Sequence, residues 1–201
     1  MEAIAGDGWR VVAFDADVSR VIEAVARAPQ VVGCVGDTLH MPFHDGSVTG
    51  AVAMEVIEHF HHPGELTDEM QRVVRPGGAV MVTVPNGVLE RIYRRLNPAY
   101  WPTTTHQQIF SKRRLASLLR ASGFEPVDVQ AASFEWTLRW LVHSWLRFRF
   151  DATGEIYEHL RVARAMDGVF RTLRRSWTAR RAMAAAGTLI GKSYVAECRR
   201  S

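Results

Sequence analysis

The chain has 201 residues, 47% of them hydrophobic and 23% charged, a composition that excludes an intrinsically disordered protein and fits one domain with a real core. Its two cysteines, Cys34 and Cys198, are too few and too far apart for a disulfide scaffold and lack metal-ligand spacing, which points to a reducing, cytoplasmic setting. The net charge of +4 is local: between Phe134 and Arg181 ten arginines stand against five acidic residues, so basic character belongs to one segment and no nucleic-acid partner is expected.

The first ten residues lack the basic and apolar regions of a signal peptide, and no apolar run reaches the roughly 18 residues of a spanning helix. From Arg10 to about Gln130, short β-rich runs alternate with helical patterns, the order of a parallel sheet with crossover helices and therefore an α/β fold. Strands are expected at residues 11–14, 31–35, 48–54, 79–84 and 126–131, their unbroken apolarity suiting strands buried on both faces. Helices are expected at 18–28, 64–74 and 111–122. In the last, Ser111 can cap, Leu115, Leu118 and Leu119 share a face, and Gly123 ends it. The glycines of Arg75-Pro76-Gly77-Gly78 read as a turn that needs φ > 0. From 134 to about 186 the pattern changes to long helical segments rich in arginine and tryptophan, and 193–196 reads as a returning edge strand. The chain thus divides into an α/β core (1–131), a basic and aromatic insertion (132–188) and a final strand segment (189–201).

In an open α/β sheet, ligands bind at the carboxyl ends of the strands, so polar residues that directly follow apolar runs carry the chemistry. Asp15 ends the first run, where a carboxylate can accept both hydroxyl hydrogens of a ribose; it can equally cap the following helix, as can Asp17 or Ser19. Asp37 follows the second run and precedes Thr38, Leu39, Met41 and Phe43, pairing a carboxylate with apolar cover in the way an adenine requires; a plain solvated turn is the alternative. Glu55, Glu58 and His59 place two carboxylates and an imidazole within five residues. Such a group can bind a hard divalent cation or simply orient the next loop, and no metal is assigned to it. His59, an imidazole titrating near neutral pH, also suits a general base.

Taken in order, these pieces resemble the class I S-adenosylmethionine-dependent methyltransferases: Asp15 after a strand, Gly36-Asp37 after the next, Met41-Pro42-Phe43 and Asp45-Gly46-Ser47, Met54 to His59, and Leu66 to Val74 leading into Arg75-Pro76-Gly77-Gly78. The match is closest to the branch containing the ubiquinone-biosynthesis O-methyltransferases. The resemblance implies a Rossmann-like, mostly parallel sheet with flanking helices and S-adenosylmethionine as cofactor. Asp15 would then hold its ribose, Asp37 its adenine amine, Thr38 and Leu39 the ring, and Glu55 would stand near its methionine end. Asn86, after Val84-Pro85, and His106, in Thr105-His106-Gln107-Gln108-Ile109-Phe110-Ser111, fall where relatives approach the acceptor. His59 and His106 are accordingly the catalytic candidates.

The family's opening strand and its G-x-G-x-G loop have no counterpart here, because Gly6 and Gly8 precede the strand that ends at Asp15. That strand is central in the family, between those at 11–14 and 48–54. Without it the two neighbours either lack a partner or pair with each other. A misassigned start, a strand from another chain in a homo-oligomer, and a noncatalytic relative that works as a binding or scaffold protein are the open accounts. Residues 134–150 concentrate three of six tryptophans beside three arginines, which suits either a lid over the site or peripheral contact with a membrane surface. Both favour a small apolar acceptor, lipid-like or quinone-like.

Overall fold

The computed structural model describes residues 9–96, 105–132, 168, 176–178, 181–182, 185–186 and 191–201. In chain order these form β1 (Val12–Asp15), α1 (Val18–Arg27), β2 (Val32–Val35), β3 (Val48–Met54), a 3-10 turn (Ile57–His59), α2 (Pro63–Val73), β4 (Val74–Pro85), α3 (Gly87–Leu96), α4 (Lys112–Ala121), β5 (Phe124–Ala132) and β6 (Ser193–Arg200). The architecture is Rossmann-like α/β. β1 and β2 pair in parallel, and a second sheet has the order β3-β4-β6-β5, with β3 parallel to β4 and β6 antiparallel to both its neighbours.

The helices form where sequence and capping agree. Asp17 caps α1 by accepting from the Ser19 amide at 2.8 Å, and Ser111 caps α4 by accepting from Arg114. Leu115 and Leu119 of α4 are fully buried against the larger sheet, each contributing on the order of 2 kcal/mol. Thr67 of α2 shares a buried hydrogen bond of 2.7 Å with Ser122, just past α4, which locks the two helices together. The expected turn at 75–78 lies inside β4, where the pairing with β3 skips from Val74 to Ala79, and Gly77 there has φ +75. Gly78 is needed for a different reason: a Cβ there would meet the Arg75 and Thr49 carbonyl oxygens at 2.8 and 2.9 Å.

Three expectations change. The final strand is twice the expected length and lies inside the sheet, between β4 and β5, rather than at an edge. Its alternate residues Tyr194, Ala196 and Cys198 are buried, and partners on both sides satisfy its backbone. α3 was not foreseen, although Leu89, Ile92, Tyr93 and Leu96 recur at helical spacing; Asn86 and Gly87 start it. Burial on both faces holds for β4, whereas Val12, Val32, Val52 and Met54 of β1 to β3 are exposed. Among the described residues β1 and β3 do not pair with each other, so each keeps an unmatched edge.

The small sheet is fastened to the large one through the segment after β2. Phe14 meets Phe43 edge to face at 5.8 Å, and Leu39, Met41 and Phe43 pack on the main core. Arg72 of α2 holds that segment by donating to the Met41 and Phe43 carbonyls at 3.0 and 2.8 Å while pairing with Glu69 and Asp45. Those carboxylates, Glu69 first, raise the guanidinium pKa further. The predicted lid at 134–150 lies outside the described residues, and among the described ones no helix is long and apolar enough to cross a membrane.

Candidate functional site

Asp15 closes β1, and because Asp17 takes the capping role, its carboxylate has among the described residues only an intraturn bond from the Asp17 amide at 2.9 Å and a loose ion pair with Arg20 at 3.7 Å. Asp37, two residues past β2, accepts from the Leu39 amide at 2.9 Å and pairs with His40 at 2.8 Å. The His40 hydrogen bond, then the Leu39 amide, holds Asp37 below the usual carboxylate range; the same contact raises His40. Asp37 is therefore a turn former as well as an exposed acceptor, and Thr38 and Leu39 sit half-buried in its turn.

Glu55 follows β3 with φ +53, the left-handed region that a glutamate enters only at a cost of about 1–3 kcal/mol. What holds it there is Thr83 of β4. The Glu55 amide donates to the Thr83 carbonyl and hydroxyl oxygens at 3.0 and 3.1 Å, and that hydroxyl donates back to Glu55 Oε1 at 3.2 Å. A non-glycine residue locked in this conformation at a strand end is a mark of a functional site, and nothing in the residue order announces it.

The 3-10 turn then brings in Glu58, which is fully buried, with neither carboxylate oxygen hydrogen-bonded among the described residues. Its backbone carbonyl accepts from the amides of Gln107 and Gln108 at 2.8 and 3.0 Å, and this delivers His106 to the same spot. The Nε2 atoms of His59 and His106 lie 3.8 and 4.0 Å from Glu58 Oε1, the two rings meeting edge to face at 5.0 Å. On their far sides, His106 Nδ1 donates to Glu90 Oε1 at 2.9 Å, while His59 Nδ1 shares a hydrogen bond with Thr105 at 2.9 Å. Burial pushes Glu58 up to about 7, and the Glu90 hydrogen bond raises His106 against its own burial.

His59 and His106, far apart in sequence, are therefore one group, completed by Glu58 and Glu90. Glu90 is the residue that sequence reasoning missed; its only signal was its place in the unrecognised α3. Asn86 is more structural than expected. Its Nδ2 donates to the Gly191 carbonyl at 2.8 Å and its Oδ1 accepts from the Val88 amide at 3.0 Å, so it starts α3 and ties it to the approach to β6. A crevice of about 130 Å³ opens beside this group, lined by Glu55, Asn86, Leu89, Glu90, His106 and Lys192 among others. Ligand pockets usually exceed about 300 Å³, so these residues form part of one rather than the whole. Asp15, Asp37 and Thr38 do not line it.

Comparison with known proteins bears on this arrangement. A family model described as a methyltransferase domain matches residues 1–129, and the chain belongs to that family. A probable S-adenosylmethionine-dependent methyltransferase of Mycolicibacterium smegmatis is 32% identical over 140 residues, covering 64% of this chain and 52% of the relative. A demethylmenaquinone methyltransferase of Beutenbergia cavernae is 32% identical over 94 residues, covering 45% of this chain and 39% of its own length. The chain thus spans about half the length of the first of these, and less of the second. Among solved structures, the [4+2]-cyclase SpnF superposes with a TM-score of 0.61 at 20% identity over 98% of this chain and 68% of its own. That likeness is one of fold.

Proposed function

We propose that this chain forms the cofactor and acceptor core of an enzyme that moves a methyl group from S-adenosylmethionine to a small, apolar molecule. The observation that carries the reading is the run of polar residues at successive strand ends, Asp15 after β1, Asp37 after β2 and Glu55 after β3, with the imidazole of His106 beside Glu55. The residues fit the cofactor's chemistry. Asp15 has unused acceptor capacity for a ribose diol, and Asp37 stands beside half-buried Leu39, Met41 and Phe43, which can cover an adenine while the carboxylate meets its amine. When bound, the cofactor supplies an electrophilic methyl group on a sulfonium. The protein's part is to align the acceptor with it and to receive the acceptor's proton. His106 Nε2 can take that proton, with Glu90 on Nδ1 steadying the imidazolium.

Residues Thr38 and Leu39 would lie at the adenine, Glu55 at the methionine end, and His59 behind His106. For the acceptor, the likeness to a demethylmenaquinone methyltransferase supports a quinone-like or lipid-like ring compound. The tryptophan-rich segment 134–150 would then touch a membrane surface or cover the acceptor. A noncatalytic role on the same fold, or completion by a second copy of the chain, is favoured by the unmatched edges of β1 and β3. Isothermal titration with S-adenosylhomocysteine, followed by transfer of labelled methyl to menaquinone precursors, separates these readings. Binding that Asp15→Ala weakens by about tenfold or more, together with transfer that His106→Asn lowers, is expected. Binding without transfer to any acceptor leaves the noncatalytic role, and no binding at all overturns the assignment of the strand-end residues.

A further inference from the structure

Glu58 poses a physical problem that proton transfer does not solve. A fully buried carboxylate whose oxygens find no hydrogen-bond partner on any other described residue is costly unless it stays neutral or meets a cation. The groups nearest to it are two imidazoles, and each already spends its Nδ1 elsewhere, His106 on Glu90 and His59 on Thr105. With Nδ1 carrying the proton, the lone pair of each ring is on Nε2, the atom that faces Glu58. Ligand atoms from all three residues lie within 4.8 Å of one another.

We propose that Glu58 Oε1, His59 Nε2 and His106 Nε2 form a binding site for one divalent transition-metal ion of the zinc type. Such an ion sits about 2.0–2.2 Å from nitrogen and oxygen ligands, which puts tetrahedral ligands roughly 3.3–3.5 Å from each other. The separations of 3.8 and 4.0 Å from Glu58 to the two imidazoles, within a group no more than 4.8 Å across, reach that geometry if the side chains close by about 0.5 to 1.5 Å. The bond to the Glu90 carboxylate fixes the tautomer and orientation of His106, and the bond to the Thr105 hydroxyl orients the His59 ring, as outer contacts do around bound metals. Two imidazoles with one carboxylate select Zn²⁺, Co²⁺ or Ni²⁺ over Mg²⁺ and Ca²⁺, which prefer oxygen. The group also differs from the run Glu55, Glu58, His59 that the sequence suggested for a hard cation. Thr83 engages the Glu55 carboxylate, and His106 arrives from a distant segment.

Three protein ligands leave a fourth position, and since His106 also lines the crevice, that position would open toward it. An acceptor oxygen bound there would lose its proton more readily, so in the metal-loaded protein the imidazoles would act through the ion rather than as free bases. The site itself stands on the cluster's geometry and not on methyl transfer.

The test uses the full 201-residue chain stripped with a chelator and titrated with Co²⁺, read by its visible ligand-field bands, with zinc content measured by mass spectrometry after desalting. One equivalent with the intense bands of a four- or five-coordinate site is expected, and Mg²⁺ should not compete. Glu58→Gln and His106→Ala should each weaken Co²⁺ binding at least tenfold, and Glu90→Gln by about 10- to 100-fold. His44→Ala, on an exposed loop, should leave it unchanged. A parent chain that gives only the weak spectrum of hydrated Co²⁺ overturns the proposal whether or not the variants fold. So does binding that survives in folded Glu58→Gln and His106→Ala.

Discussion

Replacing Glu58 by glutamine should make the metal-free protein more stable at alkaline pH and leave it unchanged in acid. Burial moves the Glu58 pKa from 4.5 to about 7, because the fold withdraws the ionised carboxylate from solvent and offers its oxygens no hydrogen bond from another described residue. The folded state therefore keeps a proton through a window in which the unfolded chain releases it. Stability is highest below pH 4.5, declines as pH rises to about 7, and is then level. A displacement of that size corresponds to about 3 kcal/mol, with the lowering by His106 already contained in it. Glutamine keeps nearly the same shape without the charge. His106 adds a trend of the same sign, since its raised pKa contributes stability present below 6.5 and lost at higher pH. The difference between parent and variant, not the parent's own slope, is thus the quantity to measure. Urea denaturation with a chelator present, at pH values from about 4 to about 9 that bracket both ends of the window, supplies it. Parallel curves for the two proteins would show that Glu58 ionises freely and would refute the burial argument.

Asp15→Ala and Asp37→Ala should each weaken S-adenosylhomocysteine binding by tenfold or more, the loss of a charged hydrogen bond worth about 1.5–3 kcal/mol, as calorimetry would show. Gly87→Ala should destabilise the fold by about 1–3 kcal/mol or more in urea melts, because its new Cβ would run into the Phe110 carbonyl and the Ile109 side chain. Removing the Arg72 guanidinium in Arg72→Met should cost about 1.5–3 kcal/mol and expose the segment after β2 to limited proteolysis; an unchanged digestion pattern would show that the apolar contacts suffice to hold it.

Legibility in the sequence tracked the range of the forces involved. The fold class, most strand positions, the Ser111 cap and the positive φ of Gly77 all depend on residues within a few positions of each other, and they were readable. The strand-end residues Asp15, Asp37 and Glu55 were readable as candidates for the same reason, since each follows its own apolar run. Features set by contacts over long sequence distance escaped. The left-handed Glu55 is held by Thr83, 28 residues on, and His106 reaches Glu58 because two amides bond the Glu58 carbonyl. α3 is different: the spacing of Leu89, Ile92, Tyr93 and Leu96 is local and announces a helix, and it was overlooked. β6 was mistaken for an edge because its second half, Glu197-Cys198-Arg199-Arg200, hides one buried position among charges.

The parts of the proposed cofactor site belong to different sheets, so the spacing between those sheets is itself a functional quantity. Asp15 and Asp37 ride on the β1–β2 pair, whereas Glu55 and the Glu58 group ride on the end of β3 and the adjoining 3-10 turn. No backbone hydrogen bond joins β1 to β3 among the described residues, which leaves the segment after β2 as the connection they provide. That connection is stiff where it matters: Phe43 presses on Phe14 from one side, and from the other Arg72 and Glu69 bind its backbone at the Met41 amide and the Met41 and Phe43 carbonyls. Hydrogen bonds to charged groups at fixed backbone atoms resist shear better than apolar contact does, because they are lost within a fraction of an ångström while side chains can slide. Leu39, Met41 and Phe43, proposed above to cover the adenine, lie on this same strap. A cofactor seated there would therefore tighten the joint that positions its own two halves, and binding and docking of the two sheets would be coupled through one segment.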